Sequence, residues 1–169
     1  MAQTVNLKGN PVALSGPTLE VGQRAPEAVV VTKDLQEKAV GGAKGTVQVI
    51  VTVPSLDTPV CETETKKFNE LMAGMSGVDV TVVSMDLPFA QKRFCESFNI
   101  GNVTVASDFR YRDMEKYGVL ISEGVLKGIL ARAVFVIDKE GTIRYVQLVP
   151  EITQEPNYEE VVQKVKELL

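Results

Sequence analysis

Residues 46–68 read TVQVIVTVPSLDTPVCETETKKF, and the pattern changes period in the middle. TVQVIVTV, 46–53, is dense in β-branched residues and of strand length, which suits a central strand buried on both faces. Thr58 is a favoured helix N-cap residue, and Pro59 fits the first helical position, where its missing N–H costs nothing. The expected helix runs from Pro59 to about Met75. Phe68, Leu71, Met72 and Met75 share one face of it, with Glu62, Glu64, Lys66 and Lys67 mostly elsewhere. Cys61, one of only two cysteines, lands at the third helical position.

Outward from this unit, VDVTVVS (78–84) reads as a second buried strand. Asp86 and Pro88 make a cap and first-turn pair for a helix through about Phe98. A short strand at VTVAS and a helix near 111–117 follow. RAVFVID and TIRYVQLV are strands joined across DKEG, a hairpin signal. The final helix, 157–169, turns Val161, Val162, Val165, Leu168 and Leu169 inward. Upstream, TVNL and PVAL around Lys8-Gly9-Asn10 predict a β-hairpin within residues 1–20. A short strand-like segment follows GQRAPEAVVVT, and the Gly-rich loop GGAKG leads into the central strand. Strand–helix–strand followed by hairpin and helix is the order of a thioredoxin-like α/β three-layer sandwich with a central mixed sheet. Residues 1–169 are expected to form one domain carrying the hairpin as an N-terminal extension.

Composition narrows the chemistry. Hydrophobic residues make up 44% and charged residues 24%, ordinary for a soluble globular chain. A net charge of −4 offers no broad basic face, so neither nucleic acid nor an anionic membrane is an expected partner. The first residues lack a charged segment followed by an apolar core, and no apolar run is long enough to span a membrane. The expectation is a cytoplasmic protein. The sequence contains 0 histidines, which removes Ser-His and Cys-His nucleophile pairs, histidine metal sites and imidazole acid–base chemistry together. Two widely spaced cysteines supply neither a four-thiolate zinc site nor a CxxC motif. No cofactor and no metal is expected.

At the third helical position, Cys61 sits among the unpaired N–H groups of a first turn, which with the helix dipole favour a thiolate. Glu62 and Glu64 oppose that charge, and no Lys or Arg lies between Gly45 and Lys66. A balancing cation must come from a distant segment. The residue types alone also fit a structural cysteine behind a common Thr-Pro capping pair. Cys95, beside Phe94 and three before Phe98, reads as core packing, and Arg132 as a surface ion-pair partner.

PSLDTPVC (54–61) matches the active-site pattern Pro-x-x-x-Thr-x-x-Cys and resembles the peroxiredoxins. DLPFAQKRFC (86–95), LKGILARAVFVID (126–138) and LVPEITQEPNY (148–158) narrow the resemblance to the bacterial thiol peroxidase branch, the atypical two-cysteine peroxiredoxins. With VNLKGNPV near the N-terminus the likeness covers essentially the whole chain. The resemblance implies that Cys61 is the peroxidatic cysteine and Cys95 the resolving cysteine of an intramolecular disulfide. Thr58 would hydrogen-bond the thiolate and the peroxide, Pro54 would shield the sulfur, and Arg132 would supply the missing cation. It further implies reduction of hydrogen peroxide and organic hydroperoxides in antioxidant defence, recycling by thioredoxin, and a homodimer. The rival from another class is a non-catalytic thioredoxin-fold interaction module or redox sensor. A sensor would oxidise once and slowly, whereas a peroxidase turns over.

Overall fold

The computed structural model describes residues 3–169, so the first two residues of the expected hairpin segment lie outside it. Residues 46–53 behave as their composition demands: β5 (Val47–Thr52) is buried at every position. It pairs in parallel with β6 (Val78–Ser84) on one side and antiparallel with β9 (Ala133–Ile137) on the other. With β3 (Ala28–Thr32), β4 (Glu37–Val40), β7 (Thr104–Ser107) and β10 (Ile143–Leu148), these strands form a seven-stranded mixed sheet, ordered β10-β9-β5-β6-β7-β3-β4. AVVVT is itself the strand β3, and the short segment after it is β4.

The chain runs from β5 through α1 (Pro59–Leu71) to β6, and through α2 (Pro88–Phe98) to β7, stepping in one direction across the sheet. Right-handed crossovers then put both helices on the same face. Val49 and Val51 of β5, Val80 and Val82 of β6 and Val134 and Val136 of β9 pack there with Phe68 and Phe94. Val161 and Val165 of α3 (Tyr158–Leu168) close the same core. The opposite face carries Ile50, Val83, Ala133, Phe135 and Ile137. It is covered by Tyr117, Met114 and a small sheet of β1 (Thr4–Leu7), β2 (Asn10–Ser15) and β8 (Leu120–Ile121).

Several expectations shift at their edges. The first helix ends at Leu71 rather than Met75, because Gly74 takes a left-handed φ of 79° and the final bonds tighten, Ala73 N–H to the Glu70 carbonyl. The helix near 111–117 is a 3-10 turn, Asp113–Tyr117, since Arg112 before it is left-handed. Leu169 is half exposed and not part of the apolar face. The N-terminal hairpin turns on two residues, with Lys8 (φ 50°) and Gly9 (φ 84°) both left-handed and Asn10 already in β2. β8 is two residues long and carries no periodic signal.

Candidate active site

Pro54 leaves the end of β5 buried, and the loop after it folds back into α1. Thr58 has the extended backbone of an N-cap, but its side chain does not cap the helix. Its hydroxyl donates to the Ser55 carbonyl at 2.9 Å, beside the Thr58 N–H bond to the same oxygen at 3.1 Å. The sequence reading of Thr58 as a capping side chain is therefore corrected: a turn within the loop has taken the hydroxyl. The amides of Val60 and Cys61 keep the free donors that any first helical turn leaves.

Asp86 does not cap α2 either; Leu87 holds that position without a side-chain bond. The Asp86 carboxylate instead accepts from Ser55 Oγ (2.7 Å), the Leu56 N–H (2.8 Å) and Ser84 Oγ (2.7 Å). It ties the loop before Cys61 to the end of β6.

Cys61 is fully buried, and Arg132 Nη1 lies 3.3 Å from its Sγ. The register explains the meeting. Thr52, the last residue of β5, pairs with Ala133, so the residue before β9 stands beside the start of α1. Arg132 is buried too, its Nε donating to the Ile152 carbonyl at 2.9 Å. Reading Arg132 as a surface ion-pair partner is thus overturned. Burial works against its charge, but Glu64 and Cys61 outweigh that and hold its pKa up.

Glu64 is the residue the sequence reading placed away from the core, and it is fully buried. Its Oε1 accepts from Arg132 Nη1 at 2.6 Å, while Oε2 has no partner among the described residues. The buried residues of α1 are Cys61, Glu64, Thr65 and Phe68, so the inward stripe passes through the glutamate. Burial pushes the Glu64 carboxyl up to about 7, against the pull of Arg132 and with a further push from Glu155. The folded chain therefore holds this proton from the ordinary 4.5 up to about 7, and its contribution to stability declines as pH rises through that window. Glu64→Gln keeps the shape and the bond to Arg132 but does not titrate. The difference in urea midpoint between the two proteins should shift in favour of the variant from pH 5 to pH 8. A constant difference would contradict the burial assignment.

Cys95 lies in α2 and packs in the same core as Cys61, and both are free thiols. Burial pushes its pKa up, with Lys33 opposing. It borders a hollow of about 290 Å³ that Thr32, Lys33 and Asp34 also line. Pro54 follows β5, Thr58 precedes α1, and Cys61 in the first turn of α1 meets Arg132, the residue before β9, while Cys95 sits on the neighbouring helix. Tyr158 of α3 packs edge-on against Phe68, with ring centroids 5.3 Å apart. Among the described residues, no helix is long and apolar enough to cross a membrane.

The site is thus a buried cysteine at a helix start with an arginine against its sulfur, on a seven-stranded mixed sheet. The Redoxin family model matches residues 20–162. A thiol peroxidase of Aquifex aeolicus (strain VF5) is 86% identical over 169 residues, covering 100% of both chains. One from Campylobacter jejuni is 56% identical, covering 90% of this chain and 87% of its own. Among solved structures, a peroxiredoxin-like protein from Aquifex aeolicus superposes with a TM-score of 0.98 at 86% identity, over 100% of this chain and 99% of that one. A thiol peroxidase from Chromobacterium violaceum, at 19% identity, shares the fold with a TM-score of 0.86, over 97% of this chain and 95% of its own. The chain belongs to the Redoxin family, as a peroxiredoxin of the thiol peroxidase branch.

Proposed function

We propose that this protein reduces hydrogen peroxide and organic hydroperoxides through Cys61 and is recycled through Cys95 by thioredoxin. The observation that carries the reading is the Arg132 guanidinium 3.3 Å from Cys61 Sγ at a helix start. In the first step the Cys61 thiolate attacks one peroxide oxygen. The O–O bond breaks, its electron pair leaves on the other oxygen, and that oxygen takes a proton to depart as water or alcohol. Sulfur is oxidised to a sulfenic acid. Charge spreads over two oxygens in the transition state, and fixed donors stabilise it without reorganising. Those donors are the first-turn amides and Arg132; the Thr58 hydroxyl, which donates to the Ser55 carbonyl in the reduced protein, joins them by turning from that carbonyl to the peroxide. A low thiol pKa alone would not give fast attack, because nucleophilicity falls with it. Pro54, buried over the loop, keeps bulk water from the sulfur.

In the second step Cys95 loses its proton and attacks the sulfenic sulfur, water leaves, and a disulfide joins the two residues. A disulfide needs Cα atoms within roughly 7 Å. Cys61 in the first turn of α1 and Cys95 late in α2 are free thiols on separate helices, and we infer that local unwinding of one or both segments brings them together. The thioredoxin dithiol then reduces the disulfide and becomes oxidised itself. Residues 1–169 act as one unit in this scheme. Two free thiols suit the reducing cytoplasm, where we place the protein. Leu87 and Phe89, 52% and 70% exposed at the start of α2, offer an apolar surface for a homodimer.

The test is a coupled assay with thioredoxin, its reductase and NADPH, comparing wild type with Cys95→Ser. Wild type should consume many equivalents of either peroxide class. Cys95→Ser should consume one equivalent per chain and then stop, leaving a Cys61 sulfenic acid trappable by dimedone. Sustained thioredoxin-linked turnover by the variant would assign Cys95 to packing alone. A wild type that oxidises once and does not turn over would favour the redox-sensor module.

A further inference from the structure

The site arginine is held from outside the sheet. Its Nε donates to the Ile152 carbonyl, and its own carbonyl accepts from the Val149 N–H at 3.0 Å, so segment 149–152 grips both its side chain and its backbone. That segment is itself pinned by the N-terminal hairpin. Asn6 N–H donates to the Pro150 carbonyl at 2.7 Å, and Ile152 N–H donates to the Asn6 carbonyl at 2.8 Å. At the hairpin turn, the two left-handed residues aim their N–H groups at one carboxylate: Lys8 at 3.0 Å and Gly9 at 2.9 Å from Glu151. The same carboxylate accepts from the Thr153 N–H (3.2 Å) and hydroxyl (2.9 Å). The Gly9 bond, with those from Thr153 and Lys8, lowers the Glu151 pKa to about 2, so this side chain is charged at any working pH.

We propose that the N-terminal hairpin braces the active-site arginine, and that Glu151 is a positioning residue for peroxide reduction, acting through Ile152 on Arg132. The proposal rests on the role given to Arg132 above. A guanidinium is planar, so fixing Nε on the Ile152 carbonyl fixes the direction of Nη1. Nη1 is shared between Cys61 at 3.3 Å and Glu64 at 2.6 Å. If the Ile152 carbonyl drifts, the fork turns toward its closer carboxylate partner and away from sulfur. Glu151 prevents that drift by joining the turn of the hairpin to the residues on either side of Ile152.

The experiment is a cycle of Glu151→Ala with Arg132→Lys, with Glu151→Gln as a second single variant. Three quantities are read: the second-order rate with peroxide, the pH profile of Cys61 alkylation by iodoacetamide, and Tm. Glu151→Ala should slow the peroxide reaction about tenfold, inside the roughly hundredfold that an ångström-scale misplacement costs. It should also move the alkylation profile to higher pH. Glu151→Gln, which keeps one acceptor oxygen, should fall between. In the Arg132→Lys background, Glu151→Ala should cost little more, because its path of action is already cut. Equal losses in both backgrounds would overturn the proposal, as would a wild-type rate and profile in Glu151→Ala. If Glu151→Ala does not fold, the same comparison with Glu151→Gln decides, and an unchanged rate and profile there overturns the proposal. Should wild type fail to reduce peroxide, the function fails, yet the alkylation profile still reads the brace.

Discussion

Cys61→Ser is expected to abolish peroxide consumption while leaving the fold intact. The substitution replaces one atom, at a site where Arg132 Nη1 can donate to Oγ as it does to Sγ. The hydroxyl is therefore buried with a partner, and the stability cost stays within about 1–2 kcal/mol. Chemically the change is severe. An alcohol is hardly ionised at neutral pH, and oxygen is a poor nucleophile toward an O–O bond. Urea unfolding should be near wild type, and peroxide consumption should sit at the background of a protein-free control. Substantial turnover in a folded Cys61→Ser would mean that another residue attacks the peroxide.

Arg132→Lys is expected to be nearly as damaging, although the charge is conserved. Arginine reaches three acceptors at once, the Ile152 carbonyl through Nε and Cys61 with Glu64 through Nη1. A lysine ammonium is a compact point charge without the planar fork, and it cannot span that set. Whichever acceptor it abandons is buried. A lost carbonyl partner costs about 1–3 kcal/mol, and a Glu64 carboxyl left without its partner, which then keeps its proton, costs a similar amount. The peroxide rate should fall on the order of a hundred- to a thousandfold, the scale for losing one aimed donor at developing negative charge. Stopped-flow rates unchanged from wild type, with an unchanged pH profile of alkylation, would remove Arg132 from the site.

The local half of this site was legible in the sequence because its geometry is local. Pro54, Thr58, Pro59 and Cys61 occupy one strand-to-helix junction, and the change of period marks that junction. The central strand, the β9–β10 hairpin and the closing helix were equally open to reading, since each buries a face with its own repeat. What local pattern could not carry is register. Nothing near Arg132 says that Ala133 pairs with Thr52, and only the family resemblance pointed to it. Glu64 was hidden by the general rule that charged side chains face water. Its spacing of three from Cys61 and four from Phe68 was the available signal. Thr58 and Asp86 mislead for a shared reason. Both have the composition of caps, but the loop from Ser55 to Leu56 offers their side chains competing partners that appear only on folding. The bracing role of Glu151 could not be found from a pattern, because Lys8 and Gly9, the partners that tie it to the hairpin, lie at the far end of the chain.

The role of Cys61 is tested most directly by asking which sulfur meets peroxide first. Reduced protein is mixed rapidly with one equivalent of hydrogen peroxide, quenched with dimedone at increasing times, and mapped by peptide mass spectrometry. The expected result is dimedone on Cys61 at the earliest times, giving way to a Cys61–Cys95 disulfide as the label disappears. Label on Cys95 first, or two unmodified thiols beside undiminished peroxide, would contradict it.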